Sequence, residues 1–103
     1  MVYTYGYTKG STPGVFDWDE HNVDHIAEHS VAPDEAEEAV DDPHRVSMPA
    51  SNMPSETRYA LLGATEAGRL LHVVATRRGG HVRVVTARAA NDREKRRYQR
   101  RGK

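Results

Sequence analysis

A chain of 103 residues has room for one domain of roughly 100 residues, and the absence of cysteine excludes disulfide frameworks, thiolate zinc sites and thiol nucleophiles together. Hydrophobic residues are 37% of the chain and no apolar run approaches the ~18 residues of a spanning helix, so there is no membrane part; with no signal-like start at Met1-Val2-Tyr3, this points to the cytoplasm. The formal charge is zero, yet the first fifty residues set eleven acids against Lys9 and Arg45, a net of −9, and the rest carries +9, the footprint of a chain that meets phosphate.

Tyr3, Tyr5 and Tyr7 alternate with Thr4, Gly6 and Thr8 and run into the linker-like stretch Lys9 to Gly14. Residues 1–15 therefore read as an N-terminal extension, an edge strand or a loose tail, and residues 16–103 as a single domain. Asp17 and Asp19 flank Trp18 ahead of Val23, Ile26 and Ala27, whose three-and-four spacing predicts a helix from Glu20 to His29. Pro33 suits the first turn of a second helix, predicted over 34–41. The acids Asp34, Glu35, Glu37 and Glu38 favour its positive end, and Asp42-Pro43 stops it.

From Arg45 the hydrophobic period changes to two. Strands are predicted over Arg58 to Leu62, Arg69 to Thr76 and His81 to Ala87, with a weaker one over His44 to Ser47 and a loop from Met48 to Thr57. The short links at Gly63 to Gly68 and at Arg78-Gly79-Gly80 join only antiparallel neighbours. Strict alternation sends Leu71, Val73 and Ala75 to one face and Leu70, His72, Val74 and Thr76 to the other; on the next strand Val82, Val84 and Thr86 oppose Arg83 and Val85. Whether His72 and Arg83 share the more open face depends on register. Asn91 and Glu94 have capping-box spacing, which opens a last helix over 91–101, and seven of the final eleven residues are Lys or Arg. The class is α+β: two N-terminal helices, a three- to four-stranded antiparallel meander and one basic C-terminal helix.

Phe16-Asp17-Trp18-Asp19, Asn22-Val23-Asp24-His25-Ile26 with His29 and Val31, Pro33-Asp34-Glu35, Asp42-Pro43, Leu62-Gly63, Ala67-Gly68-Arg69, Val84-Val85-Thr86-Ala87-Arg88, and Glu94 with Tyr98 together resemble the BrnT family. The resemblance covers about residues 16–100. It implies a RelE-like fold with helices on a curved antiparallel sheet. It also implies a type II toxin that cuts RNA and blocks translation, with a cognate antitoxin protein encoded beside it. Glu28 and Ser30 stand where many members carry Lys and Gly.

Cleavage of RNA without metal requires a base for the 2′-hydroxyl, cations for the developing charge and a proton for the leaving oxygen. Arg88, which matches the family's Ser/Thr-Ala-Arg motif, is the expected phosphate clamp together with Arg58 and Arg83, all at strand positions that can aim a planar guanidinium. Each can equally pair with a helix acid, Glu94 or the Asp34 to Glu38 group. Tyr98 or His29 is the expected proton-transfer group, Tyr98 if Arg97 and Arg101 lower its phenol, and an apolar anchor for the last helix otherwise. Arg93, Arg97 and Arg101 are expected RNA contacts. His21, His25 and His29 recur every four residues, a spacing that suits a divalent metal but equally a solvated helix face; no metal and no cofactor is expected. Two further readings remain at this point: an RNA- or DNA-binding module that does not cut, and a protein-interaction domain.

Overall fold

The structure, a computed structural model, describes residues 15–50 and 56–101; the predicted extension before residue 15 and most of the predicted loop after Met48 lie outside them. Two helices, α1 (Glu20–Ala27) and α2 (Pro33–Val40), precede β1 (Val46–Met48), β2 (Arg58–Ala64), β3 (Leu70–Arg78) and β4 (His81–Ala89), and α3 (Asp92–Gln99) follows. The strands form one antiparallel sheet in the order β1-β2-β3-β4. Fold class and meander are as the change of period predicts. No helix among the described residues is long and apolar enough to cross a membrane.

Asp19 caps α1 by accepting from His21 N and Asn22 N, and Asn22 Oδ1 accepts from Asp19 N at 2.8 Å. The buried face of α1 departs from expectation at one place: Ala27 is exposed and Asn22 is buried in its stead. The Asn22 amide donates to Asp17 O and to Val84 O, so its polar atoms are satisfied while they stitch α1 to the edge of β4. The chain leaves α1 through Ser30 N to Ala27 O and Val31 N to Ile26 O, a Schellman arrangement with Ser30 at φ 59°. This is a left-handed position that favours glycine. Arg69 then fastens this turn to the sheet, reaching Ser30 O at 2.7 Å and both carboxylate oxygens of Glu35.

Below α1 and α2 the core gathers Phe16, Trp18, Ile26, Ala36, Ala39, Leu71, Val73, Val84 and Ala87. Trp18 Nε1 donates to the buried carboxylate of Glu37 at 2.7 Å, which lets both polar groups enter the core. At Gly63 the α2 backbone rests directly on β2, because a Cβ built there would lie 2.0 Å from Ala39 O. Backbone on both sides must shift to admit a methyl. Gly63→Ala is therefore expected to lower stability by about 2–3 kcal/mol in urea or thermal unfolding; an unchanged midpoint would contradict this close approach.

β1 begins and ends later than predicted, β3 starts one residue later, and β2, β3 and β4 each end two residues later; two of these shifts have visible reasons. Asp42 accepts from His44 N at 2.9 Å, and Arg45 N bonds Asp42 O, so a turn occupies residues 42–45 and β1 begins at Val46 rather than His44. Gly79 and Gly80 have φ of 60° and 82°, the two positive values of a tight hairpin turn, so β3 continues to Arg78 and β4 starts opposite it at His81.

Candidate functional site

One irregularity decides which side chains share the sheet face away from α1 and α2. Ala75 pairs with Val84 but Val74 pairs with Thr86, which leaves Val85 as an extra residue in β4. Strict alternation places Thr86 beside Val84. The bulge instead turns Thr86 and Arg88 to the face that carries Arg83, while Ala87 returns to the core opposite Val73. Directly paired residues project to the same side. The face away from α1 and α2 therefore carries Arg58, Thr76 and Arg83 in one row, Ala60, Val74 and Thr86 in the next, and Leu62, His72 and Arg88 in the third.

Helix α3 borders the third row. The predicted capping box is present: Asn91 Oδ1 accepts from Glu94 N at 2.8 Å, and Glu94 Oε1 accepts from Asn91 N at 2.9 Å. The same carboxylate takes a two-pronged guanidinium contact, Arg88 Nη1 to Oε1 at 2.8 Å and Nη2 to Oε2 at 2.9 Å. His72 Nε2 lies 3.9 Å from Oε2. Hydrogen bonding to Arg88 pulls the Glu94 carboxyl down to about 2, so it is an anion throughout the neutral range. Arg88 is raised by the same bond. Burial, and then the Arg88 charge, lower the His72 imidazole against the opposing pull of Glu94, so it is held toward its neutral form. An imidazole biased toward its neutral form, a guanidinium and a carboxylate thus meet where β3, β4 and α3 converge.

Arg58 and Arg83 are not part of that cluster. Arg58 Nε donates to Glu56 Oε2 at 2.8 Å. Arg83 is held at the N-terminus of α1: Nη2 donates to Asp19 Oδ1 at 3.1 Å, and Nη1 lies 3.0 Å from Asp19 Oδ2 and 3.5 Å from Asp17 Oδ2. That Nη1 atom is buried and, although within ion-pair distance, is not aligned for a hydrogen bond. At about 3.3 Å per residue the four residues from His72 to Thr76 place the two rows about 13 Å apart. The three arginines expected at one phosphate are therefore divided between two places, each held by its own carboxylate.

Tyr98 lies one helical turn beyond Glu94, and its hydroxyl donates to Asp42 Oδ2 at 2.5 Å. Asp42 also receives Ala64 N at 2.8 Å, so Tyr98 ties α3 to the end of α2 and the end of β2. Burial and Asp42 raise the phenol, and the opposing charge of Arg101 does not reverse them. The expected lowering by neighbouring arginines is thus overturned, and the anchoring role is what the contacts display. Tyr98→Phe is expected to cost about 1–2 kcal/mol of stability, because Asp42 loses a buried donor; an unaltered melting temperature would contradict the anchor.

His29 is exposed, with its ring edge-on to His25 at a centroid distance of 5.7 Å, and it is not among the residues of either group. His21 and His25 face the cleft that holds Arg58 and Arg83. Arg93 and Arg97, with Arg100, border a groove of about 550 Å³ against Met48, Pro49 and Glu94. Arg101 turns back on its own helix, its Nη1 donating to Tyr98 O and its guanidinium 4.1 Å over the Tyr98 ring.

His72 is the residue that motif reading does not select. Alternation places it on the right face, but only the register sets it beside Arg88.

A family model described as the ribonuclease toxin, BrnT, of type II toxin-antitoxin systems matches residues 18–94, a span that runs from Trp18 to Glu94 and stops short of Tyr98. No curated protein matches the chain.

Proposed function

Because the chain belongs to the BrnT family of type II toxin-antitoxin ribonuclease toxins, we propose that it cuts RNA without a metal ion at the His72, Arg88 and Glu94 cluster. The observation that carries this reading is the bidentate hold of Glu94 on Arg88 beside an imidazole kept toward neutrality. A base must start unprotonated, and His72 meets that condition where Tyr98, raised in the opposite direction, does not.

In the proposed reaction the imidazole of His72 takes the proton of the 2′-hydroxyl, whose oxygen then attacks the adjacent phosphorus. The phosphorus–O5′ bond breaks, the departing oxygen takes a proton from water, and the hydroxide left behind takes back the proton held by the His72 imidazolium. Arg88 lies 41% exposed along its side chain, so it can present donors to the non-bridging oxygens while Glu94 fixes its plane. Its cation stabilises the charge that builds in the pentacovalent state, which is the support for leaving a metal out of the scheme.

Binding would be shared by the basic rim of α3, where Arg93 and Arg97 border the groove beside Glu94. Seven of the last eleven residues are Lys or Arg, and a cognate antitoxin with acidic character would cover the part of this rim left exposed.

The test is purified protein incubated with single-stranded RNA in EDTA, with the product ends identified. Products bearing a 2′,3′-cyclic phosphate and a 5′-hydroxyl are expected. No cleavage of free or translated RNA, with retained salt-sensitive binding, would replace this reading with a non-cutting RNA-binding module.

A further inference from the structure

The row of Arg58, Thr76 and Arg83 stands apart from the reactive cluster and needs its own account. It floors a cleft of about 330 Å³ that Arg78 closes at the hairpin end and His21 and His25 close from α1. Arg78 lies two residues beyond Thr76 on β3, hence on the same face, and lines the same cleft as Arg58. Thr76 Oγ1 donates to Thr57 O at 2.7 Å and so fixes the chain immediately before Arg58. Arg83 forms the wall toward α1, with its buried Nη1 lacking an aligned acceptor. Three guanidinium groups and two imidazoles thus face one opening, with Glu56 as the carboxylate inside it.

Between this cleft and the reactive cluster lies the row of Ala60, Val74 and Thr86, which carries no charge. We propose that the cleft is a second phosphate site for the same RNA strand, gripping a phosphodiester about two nucleotides from the bond that is cut. This rests on the reading that cleavage occurs at His72 and Arg88. A stacked strand advances about 3.4 Å per nucleotide and an extended one about twice that, so a gap of about 13 Å corresponds to about two nucleotides of extended chain. Single-stranded RNA fits this spacing, since its backbone can lie extended over the uncharged row with anions meeting cations at both ends. Arg58 and Arg78 contact the phosphate, and Arg83 is the positioning residue that holds the α1 wall in place.

The experiment is fluorescence anisotropy with non-cleavable 2′-O-methyl oligonucleotides of two and eight nucleotides, over a range of salt. The parent protein is expected to bind the octamer at least tenfold more tightly than the dimer. In the double variant Arg58→Ala with Arg78→Ala that advantage shrinks several-fold, to the part that the α3 rim supplies, and the slope of log K against log salt falls by about 0.7 for each phosphate no longer neutralised. A second arm leaves the protein intact and replaces single phosphates of the octamer by neutral methylphosphonates. One position is expected to weaken the parent about tenfold and to have no effect on the double variant. An octamer bound equally by parent and folded variant, or a methylphosphonate scan with no sensitive position outside the reactive cluster, would overturn the proposal. So would variants that lose affinity for an acidic antitoxin segment while keeping that for RNA. Binding is read without cleavage, so a protein that grips the octamer as described but cuts nothing would refute the catalytic reading and leave the second site standing.

Discussion

Arg88→Ala is expected to lower the rate of RNA cleavage roughly 30- to 1000-fold, the equivalent of about 2–4 kcal/mol of barrier, while the protein remains folded. The side chain meets an oxygen charge that is present in the substrate and grows in the transition state, so kcat should fall by more than KM rises. Arg88→Lys should not restore the rate. Lysine keeps the charge, but it cannot make the paired contact that Glu94 offers at 2.8 and 2.9 Å, so the cation is no longer aimed. A near-normal Arg88→Lys would show that attraction alone suffices, and a fully active, folded Arg88→Ala would remove the residue from the mechanism.

Glu94→Ala is expected to cost about 2–4 kcal/mol of stability, which for a domain of about 100 residues lowers the melting temperature by on the order of 10–20 °C. Two contributions vanish together, the charge-assisted bond to Arg88 and half of the capping box with Asn91. Glu94→Gln separates them, since an amide oxygen can still accept from Asn91 N but does not carry the charge that Arg88 requires. The same pair sets an acid limit. The folded-state carboxyl is depressed to about 2 from an ordinary value near 4.5, so its stabilisation is complete above about pH 5 and drains away as pH falls toward 2. Urea midpoints of parent and Glu94→Gln should therefore converge as pH drops through that window. A constant gap would mean that the ion pair contributes nothing.

Much of the architecture is legible in the sequence because it rests on local chemistry. The switch from a three-and-four spacing to a period of two separates α1 and α2 from the meander, and Gly79-Gly80 and Asn91 with Glu94 mark their turn and cap directly. The site is legible only in pieces. Arg88 is visible as a motif residue, but strict alternation assigns it to the buried face; the extra residue at Val85 brings it out beside His72, and nothing in the local sequence announces a bulge. The division of Arg58 and Arg83 from Arg88 has the same origin, since spacing along a chain does not reveal which rows of a sheet they join. Tyr98 misleads for a different reason. Its neighbours in sequence are arginines, but the group that meets its hydroxyl is Asp42, fifty-six residues earlier.

The pH dependence of cleavage tests the central claim most directly, because Glu94, pulled down to about 2, and Arg88, raised, keep their charges around neutrality, while His72 is the member of the cluster whose imidazole is lowered from its ordinary value. The log of kcat/KM, measured on an RNA oligonucleotide in EDTA, should rise with pH along a limb whose midpoint lies below the ordinary imidazole value of about 6.5. In His72→Gln that limb should vanish, with the plateau reduced about 100-fold or more. A folded His72→Gln that keeps both the limb and the parent plateau would contradict the assignment of His72 as the base.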